Sequence, residues 1–183
     1  MKTTINDLSQ HLIEFSESFV KKYQSENGHL PITEVDDQWD SPCTQGQYDP
    51  LMDLWRPVII GDELCFSNVE QALDLILHKD ICHYFSTIYS DSINASCEHG
   101  QLTLLFPWCK QDFDRLQENI IGHVLMKRKL KQSITIFFAL TDDDDIILSL
   151  DNETGEIWVE RIGFEPHKKV ADSMKNFLCC LEA

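Results

Sequence analysis

The chain has 183 residues, of which 43% are hydrophobic and 10% aromatic, and it contains 7 glycines and 6 prolines. This length and composition predict a single domain with one ordinary core and exclude a disordered, collagen-like or coiled-coil protein. With 15 basic and 31 acidic residues, the formal net charge is −16, which repels nucleic-acid phosphates and the anionic cytoplasmic leaflet of a membrane. We therefore expect no nucleic-acid partner, and bare lipid is a poor partner as well.

The first predicted element is an amphipathic helix from about Asn6 to Gln24, because apolar residues recur there at intervals of three and four. From Glu26 to Asp53 this periodicity disappears while glycine and proline accumulate, so we expect a long ordered loop. Residues 55–66 are expected to form one or two strands, with a turn at 61–63.

A second helix is predicted next, with Ser67 or Asn68 as its N-cap and Glu70 in the capping-box position. The residues expected on its core face are Val69, Ala72, Leu73, Ile76, Leu77 and Ile81. The apolar segment 84–89 either extends this helix or forms a strand, and the sequence leaves both alternatives open.

The second half of the chain alternates between strand and helix periodicity. Its predicted elements are a strand at 102–106, a helix at 111–131, strands at 134–140, 146–150 and 157–161, and an amphipathic helix at 170–181. Four helices and about six strands, the last three adjacent in sequence, predict an α+β (α/β) fold. We expect one domain over residues 1–183, with a twisted, largely antiparallel sheet packed by about four helices.

Cysteine usage and hydropathy favour a reduced, cytosolic protein. The seven cysteines are odd in number and two of them are adjacent, which fits a disulfide framework poorly. Residues 1–23 mix charged and apolar side chains, so no secretory signal is expected there. The longest dense apolar stretch, 134–140, is too short to cross a bilayer, so we predict no direct lipid insertion.

The acidic residues are concentrated in two segments. Residues 26–80 carry twelve acidic side chains against two basic ones, and residues 142–165 carry nine against one, giving sums of −10 and −8. The predicted helix at 110–131 has six bases and three acids. The ordinary explanation is a solvated acidic surface, and the alternative is a face that binds a basic partner, such as the Lys/Arg-rich cytosolic loops of a membrane protein.

Signals for catalysis are weak, and we predict that the protein is not an enzyme. The sequence lacks the nucleophile-elbow, phosphate-loop, dinucleotide and zinc-protease motifs. Cys43 is a conceivable nucleophile with a distant histidine, but a small buried apolar role is the ordinary explanation.

Signals for metals and cofactors are also weak, and none is predicted. His78 and Cys82 lie four residues apart, but with His83, Cys97 and His99 they lack the paired spacing of zinc ligands. The aspartates at 142–145 lack the alternating spacing and the glycine of an EF-hand loop.

Gly122 falls in the middle of a predicted helix, where glycine costs about 1 kcal/mol relative to alanine. Such a residue suggests the close approach of another backbone or of a ligand, and packing is the ordinary explanation.

Several short motifs resemble those of the Syd family of bacterial SecY-interacting proteins. They are Ser41-Pro42-Cys43, Leu54-Trp55-x-Pro57, Leu102-Thr103-Leu104-Leu105 and Asp112-Phe113-x-Arg115-x-Gln117-Glu118-Asn119-x-Ile121-Gly122-His123. The resemblance covers essentially the whole chain, including the acidic turn at 142–145 and the hairpin at 152–156. Segment 117–123 is its most specific part, whereas the first forty residues match only in pattern.

The resemblance implies a SUKH-like α/β protein whose concave acidic face binds basic cytosolic loops of the SecY translocation channel. Such a protein sequesters or checks excess or misassembled SecY and negatively modulates the translocase. It is held loosely, through SecY, on the cytoplasmic side of the inner membrane, and is also cytoplasmic. The resemblance implies no catalytic residue and no cofactor. The alternative is a SUKH-like immunity-type protein that binds a basic toxin domain.

The expected partner-binding residues combine acidic positions with the polar face of the helix at 111–131. They are Asp49, Asp53, Asp62, Glu63, Glu118, Asn119, Asp142, Asp143, Asp144, Asp145, Glu153 and Glu156.

Overall fold

A computed structural model describes residues 6–36, 38–61 and 64–183, and its elements confirm the α+β class. The helices are α1 (Asp7–Asn27), α2 (Ser67–Leu73), α3 (Lys79–Thr87), α4 (Lys110–Lys129) and α5 (Met174–Cys179). The strands are β1 (Ile32–Glu34), β2 (Thr44–Asp49), β3 (Met52–Trp55), β4 (Val58–Ile59), β5 (Ile88–Tyr89), β6 (Ile93–Cys97), β7 (Gly100–Leu104), β8 (Thr135–Thr141), β9 (Ile146–Asp151), β10 (Ile157–Arg161) and β11 (Pro166–Ala171).

The strands form three antiparallel sheets. The main sheet has the order β11-β10-β9-β8-β7-β6, so each of its strands pairs with its neighbour in sequence. A small sheet has the order β1-β3-β2, and β4 pairs with β5. The expected largely antiparallel architecture is therefore present.

Helices cover both faces of the main sheet. On one face, Lys127 of α4 reaches Glu160 of β10. On the other face, Phe138 of β8 contacts Tyr84 of α3 and Phe177 of α5 with ring centroids 5.5 Å apart in both cases. Helix α1 packs against α3 and α5, so α4 lies on one side of the sheet and α1, α3 and α5 lie on the other.

The first helix follows the prediction closely and extends three residues beyond it. Asn6 caps its N-terminus by accepting the Ser9 backbone N–H at 2.8 Å. The helix ends where Gly28 adopts φ +79°, a left-handed conformation that glycine reaches without strain.

The loop predicted from 26 to 53 is wrong, because this segment contains β1, β2 and the first half of β3. All six residues of β2 are exposed, so the strand has no buried face and lacks the apolar alternation by which strands are recognised. Strand β1 has only three residues, which is too short to show a period.

The predicted start of the second helix is also corrected. Ser67 is the first helical residue rather than the N-cap, and no side chain caps this helix. The Glu70 carboxylate instead accepts the backbone N–H of Leu77 at 2.9 Å, beyond the end of α2. Residues 64–66 form no strand.

The predicted core face of that helix is only partly buried. Ile76 is 83% exposed, because α2 ends at Leu73 and the chain turns before α3 begins. Ala72 lies inside α2 and is exposed as well. Segment 84–89 combines both alternatives, since α3 continues to Thr87 and β5 follows immediately.

In the second half of the chain, the strands and α4 lie within two residues of their predicted bounds. Strands β6 and β11 were not predicted. The last helix has six residues rather than twelve, because β11 occupies the first part of the segment that was predicted to be helical.

Candidate functional site

A cavity of about 340 Å³, here called the sheet groove, opens on the face of the main sheet that α5 partly covers. Its apolar lining includes Leu102, Leu148, Val159 and Phe177. In the β9–β10 register Val159 lies opposite Leu148, whereas the next residue, Glu160, points to the face covered by α4. The sheet groove and α4 therefore lie on opposite faces of the sheet.

The face that carries the sheet groove is concave. Lys168 lies on the edge strand β11, and His99 lies between β6 and β7 at the other edge of the sheet. Nevertheless Lys168 Nζ and His99 Nδ1 are only 3.4 Å apart, and both residues line the sheet groove. The two edges can approach so closely only if the sheet curls around this face, and they give one side of the groove a basic character.

Aspartates occupy another part of the rim. Asp142 and Asp143 line the sheet groove, and the acidic turn, residues 142–145, joins β8 to β9. The turn holds itself in place, since Thr141 Oγ1 accepts the Asp143 N–H at 3.2 Å and Asp143 Oδ1 accepts the Asp145 N–H at 3.0 Å.

The charges of the acidic turn are mostly uncompensated. Asp145 Oδ2 pairs with Arg161 at 2.9 Å. Within the described ranges, Asp142, Asp143 and Asp144 make no ion pair. Two of these three carboxylates line the groove and the third follows them in the turn, so the turn can accept cationic groups from a partner.

Glu153 and Glu156 lie elsewhere. They belong to the connection between β9 and β10, at the opposite end of β9 from the acidic turn. The six residues of β9 separate the two ends by roughly 20 Å at about 3.3 Å per residue. Glu156 Oε1 also pairs with Lys169 at 2.8 Å, so its charge is already compensated.

Asp49 and Asp53 belong to the small sheet. Asp49 Oδ1 accepts the backbone N–H groups of Leu51 and Met52 at 2.8 and 2.9 Å, which closes the β2–β3 turn. Asp53 lies on the central strand and is half-buried. Asp62 and Glu63 lie outside the described residues.

Glu118 and Asn119 are exposed on α4, on the side of the main sheet opposite to the sheet groove. One turn earlier, the Arg115 guanidinium lies 5.7 Å from the ring centroid of Trp39, in the connection between β1 and β2. This part of α4 therefore neighbours the small sheet. Of the predicted site residues that the structure describes, only Asp142 and Asp143 line the groove, and Asp144 and Asp145 follow them in the same turn.

A buried polar cluster that was not predicted from the sequence lies between α4 and the main sheet. Lys127 Nζ donates to Glu160 Oε2 at 3.0 Å, and Thr135 Oγ1 donates to the same carboxylate at 2.9 Å. His123 Nε2 lies 3.7 Å from Glu160 Oε1. Burial lowers the pKa of His123, an effect that the Glu160 carboxylate opposes.

A sequence signal for this cluster exists. The buried positions of α4 are Phe113, Gln117, Ile120, Val124 and Lys127, which follow one another at intervals of three and four. This spacing places Lys127 on the core face of the helix, although a lysine is ordinarily counted with the exposed bases.

Gly122 is exposed, and a Cβ added there would meet nothing within 4 Å. Neither a close approach nor packing among the described residues accounts for this glycine. Cys43, in contrast, has no exposed surface, and burial raises the pKa of its thiol to about 11. A thiol of this kind stays protonated near neutral pH.

The histidines and cysteines considered as ligands serve local structure or lie apart. The His78 ring accepts the backbone N–H of Asp80 at 3.2 Å, which caps α3. In the described part of the chain, no three His, Cys, Asp or Glu side chains come together in a group that could hold a metal ion. Among the same residues, no helix has the length and apolar character needed to cross a bilayer.

Comparison with known proteins matches residues 9–183 to the family described as Syd protein (SUKH-2). A relative named Protein Syd from Colwellia psychrerythraea is 48% identical, over 97% of this chain and 94% of the relative. Relatives with the same name from Alteromonas mediterranea and Pseudoalteromonas atlantica are 41% and 38% identical, each over more than nine-tenths of both chains.

Proposed function

The chain belongs to the Syd family, and from this premise we propose that it is a regulatory protein that binds basic cytosolic loops of the SecY translocation channel. The observation that carries the proposal is the acidic turn, with three uncompensated carboxylates beside the concave sheet groove. Lysine and arginine fit such a surface, because their aliphatic stems pack on an apolar floor while their charged ends meet carboxylates.

Electrostatics supports binding to a membrane protein rather than to lipid. A protein with net charge −16 is repelled by anionic headgroups but attracted to Lys/Arg-rich loops. Long-range attraction also accelerates the encounter between the two proteins. We therefore place the protein on the cytoplasmic side of the inner membrane, held peripherally through SecY, with a further population free in the cytoplasm.

The proposed mechanism is steric. A protein of 183 residues seated on the cytosolic loops of SecY excludes other ligands of the same face, such as a ribosome or a motor ATPase. Preferential binding to channels whose loops are unoccupied would sequester or check excess and misassembled SecY. Both effects negatively modulate the translocase.

We propose further that binding alone, without catalysis, performs this role. The support comes from Cys43, the strongest nucleophile candidate in the sequence. Its thiol is completely buried, and the raised pKa disfavours the thiolate that nucleophilic attack requires.

The test is sedimentation of the purified protein with inner-membrane vesicles that contain ordinary or elevated amounts of SecY complex. We expect pelleting to increase with SecY and to fall between ~50 and ~300 mM salt, a range over which exposed charges are progressively screened. Pelleting that is absent or independent of SecY at both salt concentrations would contradict the proposal. Capture of a basic toxin domain instead would favour an immunity-type function.

A matched pair of variants tests the acidic turn. The triple variant Asp142→Asn, Asp143→Asn, Asp144→Asn removes the three unpaired negative charges of the acidic turn, two of which line the sheet groove. The control, Glu14→Gln, Glu26→Gln, Asp74→Asn, removes the same number from exposed positions outside it. We expect only the first variant to lose SecY-dependent pelleting. If both variants pellet equally, the acidic turn is not part of the binding surface.

A further inference from the structure

A second cavity, here called the α1 cavity, lies between α1 and the β4–β5 pair. Its volume of about 540 Å³ exceeds that of the sheet groove. Ile13, Ser16 and Val20 form part of its floor with exposed fractions of 8%, 2% and 7%. Val58 and Ile88 contribute from the strands, so most of the cavity wall is apolar.

The α1 cavity is elongated, and the buried hydroxyl on its floor already has a hydrogen-bond partner. Its lining residues on α1 run from Ile13 to Gln24, a span of roughly 16 Å at about 1.5 Å per residue. The buried Ser16 hydroxyl donates to the Ile13 carbonyl at 2.9 Å. The Ser16 hydroxyl is therefore not an unpaired donor that a ligand must satisfy, and the floor favours the apolar part of a ligand.

Two cations line the same cavity. Arg56 is exposed, and its guanidinium makes no hydrogen bond or ion pair with any described residue. Lys21 Nζ has one carboxylate neighbour among the described residues, Glu17, which also lines the cavity and lies 4.0 Å away, the outer limit for an ion pair. In a chain with 31 acidic and 15 basic residues, two weakly paired cations beside one apolar cavity are a local exception to the overall charge.

We propose that the α1 cavity binds a small anionic amphiphile, a medium-chain carboxylate of the fatty-acid type, free in solution. Its apolar chain lies along Ile13, Val20 and Ile88, and its carboxylate meets Arg56 and Lys21. The volume falls within the range of about 300–1,000 Å³ that is typical of small-molecule sites. A mostly apolar lining with a small number of charged groups is typical of sites for such ligands.

The charges of the two cavities distinguish their ligands. The sheet groove has two uncompensated aspartates against Lys168, whereas the α1 cavity has Arg56 and Lys21 against Glu17. The first balance favours a cation, and the second favours an anion. Binding at the α1 cavity therefore does not depend on SecY, and its failure would leave the proposed function untouched.

Isothermal titration calorimetry with sodium decanoate, below its critical micelle concentration, tests the proposal. We expect saturable binding of one decanoate per chain, and weaker binding of decanol because it lacks the carboxylate. The variant Arg56→Gln should weaken decanoate binding about fivefold, as expected for one partly exposed charge contact. Its control, Lys79→Gln, removes an exposed cation outside the α1 cavity and should leave binding unchanged.

A second pair of variants places the ligand in the α1 cavity. Ile59 lines it and is 53% exposed, so Ile59→Glu introduces a repelling charge with little effect on folding and should abolish binding. The control, Ile76→Glu, makes the same change at an 83% exposed position outside the cavity. No saturable binding, equal affinity for decanol, or equal losses in variants and controls would each overturn the proposal.

Discussion

Lys127 Nζ lies 3.0 Å from Oε2 of Glu160, and both side chains are almost completely inaccessible, so a buried ion pair joins α4 to β10. The ammonium also donates to the Phe164 carbonyl at 3.2 Å, and the carboxylate accepts from Thr135. These additional hydrogen bonds compensate part of the cost of removing both charges from water. The pair fixes the position of α4 on the sheet.

Breaking this pair should be far more costly than breaking an exposed one. Lys127→Met leaves the Glu160 carboxylate buried without its counter-charge, and we expect the free energy of unfolding to fall by about 3–5 kcal/mol. Urea denaturation monitored by circular dichroism measures the change. The exposed pair Lys110–Asp114, 2.6 Å apart, is the control, and Lys110→Met should cost less than about 1 kcal/mol. Similar losses in both variants would contradict a structural role for the buried pair.

His123 should make stability depend on pH. Burial lowers its pKa below the ordinary value of 6.5, while the Glu160 carboxylate opposes and the Lys127 ammonium reinforces this shift. As the pH falls below 6.5, the unfolded chain binds a proton that the folded chain resists, so this contribution to stability is lost with acidification. Between pH 7 and pH 5.5, the urea midpoint should fall more in the wild type than in His123→Gln. Equal slopes in the two proteins would show that His123 does not contribute.

The strongly periodic elements could be predicted from the sequence, because their apolar spacing reflects one buried face. Helices α1 and α4 and strands β8 to β10 belong to this group. Strand β2 could not be predicted, since it buries neither face and is defined by its pairing with β3. The shortened last helix follows from the pairing of β11 with β10, a contact that local periodicity does not encode.

The candidate site also combines features that could be predicted from the sequence with features that could not. The acidic turn was predictable because four aspartates separate two apolar runs. Its position beside the concave groove depends on the curling that brings Lys168 to His99, residues 69 positions apart in the chain. The Lys127–Glu160 pair spans 33 positions. Contacts of this range depend on the order and curvature of the strands, which side-chain patterns alone do not reveal.

Gly155 and His78 are packed so closely that alanine at position 155 should destabilise the fold. Gly155 has φ +77°, and an added Cβ would lie 2.6 Å from the imidazole of His78. The contact is held by Asn152, whose side chain accepts the His78 N–H at 2.8 Å and donates to the Ile76 carbonyl at 2.9 Å. We expect Gly155→Ala to destabilise the fold by about 2–4 kcal/mol, combining backbone strain with the clash.

Gly163→Ala separates the two contributions to that loss. Gly163 also has a positive φ, +87°, but a Cβ there would meet nothing within 4 Å. Its substitution should therefore cost only the backbone strain, about 1–2 kcal/mol. Thermal unfolding of both variants measures the difference, and equal losses would show that the His78 contact does not restrict residue 155.

Gly122→Ala should stabilise the fold, in contrast to the two preceding glycine substitutions. Gly122 lies inside α4 with ordinary helical geometry, and its substitution meets no neighbour among the described residues. Alanine reduces the conformational entropy of the unfolded chain, so we expect a gain of about 0.5–1 kcal/mol in the free energy of unfolding. Urea denaturation checks the gain, and a loss of stability would contradict the open environment of this residue.

SecY-dependent pelleting of Gly122→Ala shows which face of the sheet binds the partner. If the partner binds at the sheet groove, on the face opposite to α4, the stabilised variant should pellet like the wild type. Reduced pelleting would instead indicate that the partner binds the outer face of α4, beside Glu118 and Asn119.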